Sequence, residues 1–245
     1  MKLYRRQRNL RAAEGVAPEQ IWAGALDEET AFWRSWFATK GSEWPDDYRF
    51  RLDPESQIQE QITKYLDGIG HSVRILDVGA GPLTFVGKRW SGHDLNLTAV
   101  DALADKYDAL LAEFEITPPV RTRNCDSEKL TQVFDENSFE VAYALNTLDH
   151  SYEPIRAIRQ MLAVVRPGGI VLLQHYPNEA ENEAYSGLHQ WNFDWIDGDC
   201  VLWRPGKSWQ LGKEFAGQAT VSGSKADGVV TTVITKATPG ASAVG

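Results

Sequence analysis

Three aspartates, Asp77, Asp101 and Asp126, each stand just past a strand-like segment, apolar before the first two, and two glycines stand just beyond the first of them. The stretch at 73–87 reads VRILDVGAGPLTFVG. Its opening residues are apolar and β-branched enough for a buried strand. The run stops at Asp77, and Gly79-Ala80-Gly81-Pro82 must turn the chain sharply. Glycine there removes the Cβ atoms that would hold a ligand off the backbone. A strand that ends in such a turn marks the carboxyl edge of a doubly wound sheet, where nucleotides bind. A dinucleotide fingerprint needs a third glycine, and Thr84 holds its place. A carboxylate at Asp77 suits a cationic ligand better than a pyrophosphate. Asp101 falls about 20 residues past the turn, where an acidic residue takes the hydroxyls of a ribose. A carboxylate can accept two hydrogen bonds from a vicinal diol. Downstream, His150, His175 and His189 offer imidazoles that could take a hydroxyl proton near neutral pH.

Asp-x-Gly-x-Gly resembles the first motif of class I S-adenosylmethionine-dependent methyltransferases, whose cofactor carries an ammonium, a sulfonium and no phosphate. Leu162 followed by Arg166-Pro167-Gly168-Gly169 before an apolar strand is similar to a recurrent turn of the same family. The likeness covers roughly 73–174. The wider pattern, from FWRSWFATKG through LDPESQ and NTLDH to GLHQWNF, resembles a group of bacterial methyltransferase-domain proteins. The resemblance implies S-adenosylmethionine as cofactor, held by Asp77, Gly79, Ala80, Gly81, Asp101, Ala102, Cys125, Asp126 and Asn146. It gives Asp126 the adenine amino group. Capping of a helix from Ser127 is the other reading of Asp126, and the two are compatible. The fourth strand of the family opens onto the reacting centre. That directs attention to Asn146-Thr147-Leu148-Asp149-His150, with His150 as base and Asp149 and His175 beside it. Trp33, Tyr48, His189 and Trp191 are the expected substrate contacts, and no metal ligand set is expected; Asp149, His175 and Asn178 could serve a metal-assisted variant, at a spacing that is not diagnostic. The acceptor expected is a small, hydroxyl-rich molecule such as a sugar, methylated on oxygen.

Composition bounds the alternatives. The chain has 245 residues, a net charge of −9 and a pI near 5.1. That length suits one large α/β domain with its own core. The acidic balance argues against a nucleic-acid substrate. Cys125 and Cys200 lack metal-motif spacing and suggest no disulfide framework, which fits a cytoplasmic protein. No run approaches the roughly 18 apolar residues of a membrane span, and no secretory leader is expected. A small molecule is therefore the expected partner, with neither nucleic acid nor membrane, and a homodimer is compatible with the sequence.

Periodicity sets out the elements that must position these groups. The fold expected is α/β: a Rossmann-like, doubly wound sheet of seven strands, mostly parallel with an antiparallel edge strand, flanked by helices. Residues 1–54 are read as an N-terminal helical cap or substrate lid, 55–238 as the methyltransferase domain and 239–245 as a flexible tail. Residues 27–38 predict a helix capped by Asp27, with Phe32, Trp33, Trp36 and Phe37 on one face. A loop broken by Pro45 and Pro54 follows, then a helix over 55–67. A crossover helix is expected to begin in 85–90, with strands at 95–100, 120–123, 139–145 and 170–174. Helices are expected at 103–114, from Ser127, and from Pro154. Strands at 200–204 and 229–235 are expected to pair antiparallel at one sheet edge. The basic start, with Arg5, Arg6, Arg8 and Arg11, reads as a solvated terminus or as an arm to an anionic partner. The span 178–195 mixes amides, carboxylates and rings, which suits a hydroxyl-rich ligand or an ordinary surface loop. A nicotinamide-dependent oxidoreductase and a non-catalytic S-adenosylmethionine-binding protein remain alternative functions, the former disfavoured by Thr84 and Asp77.

Overall fold

The computed structural model describes residues 2–239. Three helices come first: α1 (Lys2–Ala12), α2 (Pro18–Ala38) and α3 (Pro45–Leu52). Pro18 and Pro45 each sit in the first turn of their helix, where a missing N–H costs nothing. The helix expected from Asp27 therefore starts nine residues earlier. Asp27 is not its cap but an outward carboxylate 2.7 Å from Lys106 Nζ. The loop expected around Pro45 is helical for the same reason.

The helix expected over 55–67 shrinks to α4 (Glu60–Thr63), although Ile58, Ile62 and Leu66 are buried as its pattern implied. Gly68 and Gly70, both at positive φ, turn the chain into β1 (Ser72–Val78). No helix forms between β1 and β2 (Asp94–Asp101). The backbone of Gln57 bridges Arg89, and Gly87 lies so close that a Cβ would sit 2.2 Å from the Gln57 carbonyl. Tertiary backbone pairing thus takes the hydrogen bonds a crossover helix would have used.

Next come α5 (Ala104–Glu113) and β3, which is only Arg123–Asn124. A 3₁₀ helix over Ser127–Gln132 and β4 (Phe139–Leu145) follow. A second 3₁₀ turn, Leu148–His150, leads to α6 (Pro154–Val164) and β5 (Val165–His175). Within β5 the Arg-Pro-Gly-Gly segment is absorbed as an irregularity of the β4–β5 register rather than a separate turn. The remaining elements are α7 (Glu179–Asn182), β6 (Asn192–Ile196), β7 (Asp199–Arg204), β8 (Lys207–Gln210), α8 (Leu211–Glu214), β9 (Ala219–Ala226) and β10 (Val229–Lys236).

The main sheet has the order β3-β2-β1-β4-β5-β10-β9. β10 is antiparallel to both neighbours, and the other pairs are parallel. This is the doubly wound sheet expected, with the reversed strand one place in from the edge. The strand at 200–204 belongs elsewhere, to a small antiparallel sheet β6-β7-β8. The partner of β10 at the edge is β9. The β6–β7 and β9–β10 hairpins turn on Asp-Gly pairs at positive φ, 197–198 and 227–228, the usual chemistry of two-residue hairpin loops. Of the expected tail, residues 240–245 lie outside the described residues.

Candidate active site

The Gly turn after β1 is held open by its surroundings. Gly79 and Gly81 have φ of +70° and +64°. A Cβ on Gly79 would lie 2.0 Å from Thr147 Oγ1, and one on Gly81 2.7 Å from the Trp33 ring. Gly79 and Ala80 donate their N–H groups to the Val100 carbonyl. The Asp101 carboxylate at the end of β2 accepts from Gly81 N–H at 3.0 Å and Leu103 N–H at 2.9 Å. Its lone pairs outnumber these two donors, so it keeps acceptor capacity for a ligand diol.

Asp77 is buried, and Thr84 donates its hydroxyl to it at 2.5 Å. Thr84 thus has a role at the place of the absent third glycine. Burial pushes both Asp77 and Asp101 up to about 6, against the hydrogen bonds that favour their ionised forms. Asp77 has no ion-pair partner among the described residues. An enclosed carboxylate beside a bare Gly turn fits a ligand that brings its own positive charge.

Asp126 caps the 3₁₀ helix by accepting from Glu128 N–H at 3.0 Å. It also accepts from Tyr152 Oη at 2.7 Å and Lys129 Nζ at 2.9 Å. Burial alone would raise its pKa, and these hydrogen bonds hold it lowered. It faces the same cavity as the Gly turn, as do Ala102, Cys125 and Asn146. Asn146 has φ +47°, and its side-chain oxygen accepts from Tyr176 N–H at 3.1 Å. Asn tolerates this left-handed conformation better than other non-glycine residues, and the Tyr176 hydrogen bond fixes it.

Three potential donor atoms converge beyond β4. Asp149 Oδ2 lies 2.8 Å from His189 Nδ1 and 3.4 Å from His150 Nε2, and the two imidazole nitrogens are 3.0 Å apart. Asp149 is buried. Desolvation would raise its carboxyl, but His150 and His189 hold it lowered. Desolvation would likewise lower His189, and the Asp149 hydrogen bond and charge raise it. His175 stands apart from this trio. It stacks on Phe193 at 3.9 Å, accepts from Leu148 N–H at 3.2 Å, and burial pushes it down to about 4. The structure therefore holds it as a neutral acceptor under the 148–150 turn.

One cavity of about 930 Å³ joins the Gly turn, Asp101 and Asp126 to His150 and His189. Trp33 lines it, with its indole N–H donating to Glu29 at 2.8 Å. Tyr48 and Trp191 are placed elsewhere: Tyr48 packs on Trp36, and Trp191 is buried against Trp209. Glu179 and Glu183, within the 178–195 span read as suiting a ligand, face the cavity, and so do Glu28 and Glu29, which the sequence did not mark for it. Arg51 does too, and it donates to the Leu83 carbonyl at 2.5 Å beneath the Trp33 ring. Nothing local marks Glu28 and Glu29, because their placement depends on how α2 packs against the sheet. The basic N-terminus is used inside the molecule. Arg6 pairs with Glu181 at 2.5 Å and lies over Tyr185, and Arg5 donates to the Ser186 hydroxyl.

Residues 76–173 match a family model described as a methyltransferase domain. Among curated proteins, the chain is similar to an uncharacterized methyltransferase of Schizosaccharomyces pombe, 29% identical over 45% of each chain. It is also similar to the ubiquinone/menaquinone biosynthesis C-methyltransferase UbiE of Idiomarina loihiensis, 30% identical over 49% of each chain. The chain spans about half the length of the curated relatives it matches. Among solved structures, the CurJ carbon methyltransferase shares the fold with a TM-score of 0.50 at 16% identity, over 72% of this chain and 52% of that one.

Proposed function

Because the chain carries a class I S-adenosylmethionine-dependent methyltransferase domain, we propose that it methylates an oxygen of a small, hydroxyl-rich acceptor such as a sugar. The observation that carries this reading is the single cavity that runs from the Gly turn to His150 and His189, with Asp149 buried at 2.8 Å from His189. When bound, S-adenosylmethionine supplies an electrophilic methyl carbon on a sulfonium.

The chain's own residues supply the rest. Asp77 faces the positive charge of the cofactor, Asp101 takes its ribose hydroxyls, and Asp126 takes its adenine amino group. Asn146 and Thr147 set the floor between the two halves of the cavity. The trio beyond β4 is the group that receives the acceptor hydroxyl and draws off its proton. His150 is placed to do so as a base, and His175 fixes the turn that presents it. Bringing the two reactants together in one enclosed site carries much of the rate. The rim bears exposed rings, Phe32, Trp44 and Tyr176, of the kind that stack on the flat faces of sugars. The cap over 1–54 covers the acceptor side. A carbon acceptor is the second reading, favoured by the similarity to the UbiE C-methyltransferases.

Calorimetric titration with S-adenosylhomocysteine tests the cofactor, with NADH as control. Micromolar binding of the first alone supports the reading, and binding of NADH alone refutes it. A screen of polyol, phenol and enolate acceptors with labelled methyl donor then reads the acceptor atom. His150→Ala is expected to lower turnover about 100-fold with unchanged cofactor affinity. Wild-type turnover would make His150 structural.

A further inference from the structure

We propose that Asp149, His150 and His189 form a binding site for one first-row divalent cation, open toward the acceptor side of the cavity. The inference rests on the methyl-transfer reading only for the use of the ion, not for its binding. The three candidate donor atoms face one another at 2.8, 3.0 and 3.4 Å. Atoms bound to one metal at about 2.1 Å stand about 3.0 Å apart at right angles and about 3.4 Å apart at a tetrahedral angle. The observed triangle falls within about 0.2 Å of that range without rearrangement.

A single proton leaves the triangle incomplete. On His189 Nδ1 it can point at Asp149 Oδ2 or at His150 Nε2, and two lone pairs then still confront each other; only a second proton on His150 Nε2 or a cation relieves them. A cation at the centre satisfies all three atoms at once. A second observation points the same way. Asp149 is 1% exposed, and its other oxygen, Oδ1, has no hydrogen-bond partner among the described residues. A buried carboxylate with one oxygen unpaired is costly, and a cation held at its other oxygen, Oδ2, would offset the buried charge. Glu179 and Glu183 line the same part of the cavity and add negative potential.

Two imidazoles and one carboxylate select manganese, iron, cobalt or zinc over magnesium or calcium, which favour all-oxygen sites. Three protein ligands leave positions free for acceptor oxygens, so a vicinal diol would chelate there. With the ion bound, the acceptor O–H is acidified by the metal rather than by His150. Its proton leaves to solvent, the O–C bond forms as the C–S bond breaks, and that electron pair stays on sulfur.

The test uses chelator-treated full-length protein titrated with cobalt(II) and read by its visible ligand-field absorption. One equivalent is expected to bind, and His189→Ala is expected to weaken binding more than about 10-fold. His189 is partly exposed, so its loss should leave the fold intact, and circular dichroism checks this. Cobalt uptake by the wild type no tighter than by His189→Ala and His150→Ala overturns the site. Methyl transfer that persists in chelator together with absent cobalt binding refutes the ion and leaves His150 as base. Specific cobalt binding without transfer to any hydroxyl acceptor keeps the site and refutes oxygen methylation.

Discussion

Asp77 is a carboxylate whose ionisation its burial opposes. Burial raises it from 3.8 to about 6, more than the Thr84 hydroxyl and the charges of Arg51 and Lys88 offset. In the native state the acid therefore holds its proton over a window where the unfolded chain has lost it. Stability from this group is full below about 4 and is lost as pH rises through 6. The shift corresponds to about 3 kcal/mol. Asp77→Asn removes the charge and keeps an oxygen for Thr84. Without ligand it should raise the urea midpoint at pH 8 and change little at pH 4. It should also weaken S-adenosylmethionine binding at pH 8 by about tenfold, because the ligand's ammonium loses its counter-charge. Unchanged affinity would remove Asp77 from the cofactor site. Asp101→Ala is expected to cost more, about 10- to 100-fold in affinity, since the ribose loses its acceptor and the N–H groups of Gly81 and Leu103 are orphaned. Titration calorimetry on both variants separates these effects.

At the scale of elements, the glycines separate two costs that usually arrive together. Gly68 and Gly79 share nearly the same φ, +75° and +70°. A Cβ at Gly68 meets nothing within 4 Å, whereas one at Gly79 collides with Thr147. Gly68→Ala should therefore cost about 1 kcal/mol of stability for the left-handed backbone alone, with normal cofactor affinity. Gly79→Ala should lose stability beyond that and bind S-adenosylhomocysteine poorly, because Thr147 and the turn must separate. Equal behaviour of the two in thermal melts and calorimetry would show that the Gly79 contact does not matter. The pair also shows what the sequence displayed. The Gly turn, β1, β4 and α6 were legible because local pattern and tertiary environment agree there. The segment 85–90 misled because its helical expectation was overridden by Gln57 and Ile58, some 30 residues away in the chain. The true starts of α2 and α3 were visible in Pro18 and Pro45. The hairpins β6–β7 and β9–β10 carry Asp-Gly turn pairs, a signal that the expected pairing of 200–204 with 229–235 passed over. The His150–His189 meeting was not visible, because 39 residues separate them and only the 178–191 loop brings them together.

At the scale of the whole molecule, the cap is fastened in two different ways. Its C-terminal part is apolar: Trp36 and Phe37 of α2 are buried with Leu83, Leu103 and Tyr107. Its N-terminal part is polar. α1 reaches the 178–189 loop through Arg6 to Glu181, Arg5 to Ser186 and Asn9 to the Ala184 carbonyl. Partly exposed ion pairs are worth about 0–1 kcal/mol each and weaken with salt. Apolar packing does not weaken in this way. An acceptor that enters under the cap would displace the fastening that costs least to break. Raising sodium chloride from 50 to 500 mM should therefore speed amide exchange severalfold in residues 2–12 and 180–189, and leave residues 31–38 unchanged. Hydrogen exchange read by mass spectrometry resolves the three segments. Residues 2–12 and 180–189 should respond together, because each holds the other in place. If residues 31–38 accelerated equally, the cap would open as one rigid piece from its apolar end. If residues 2–12 alone accelerated, the contact with the 178–189 loop would not hold that loop closed.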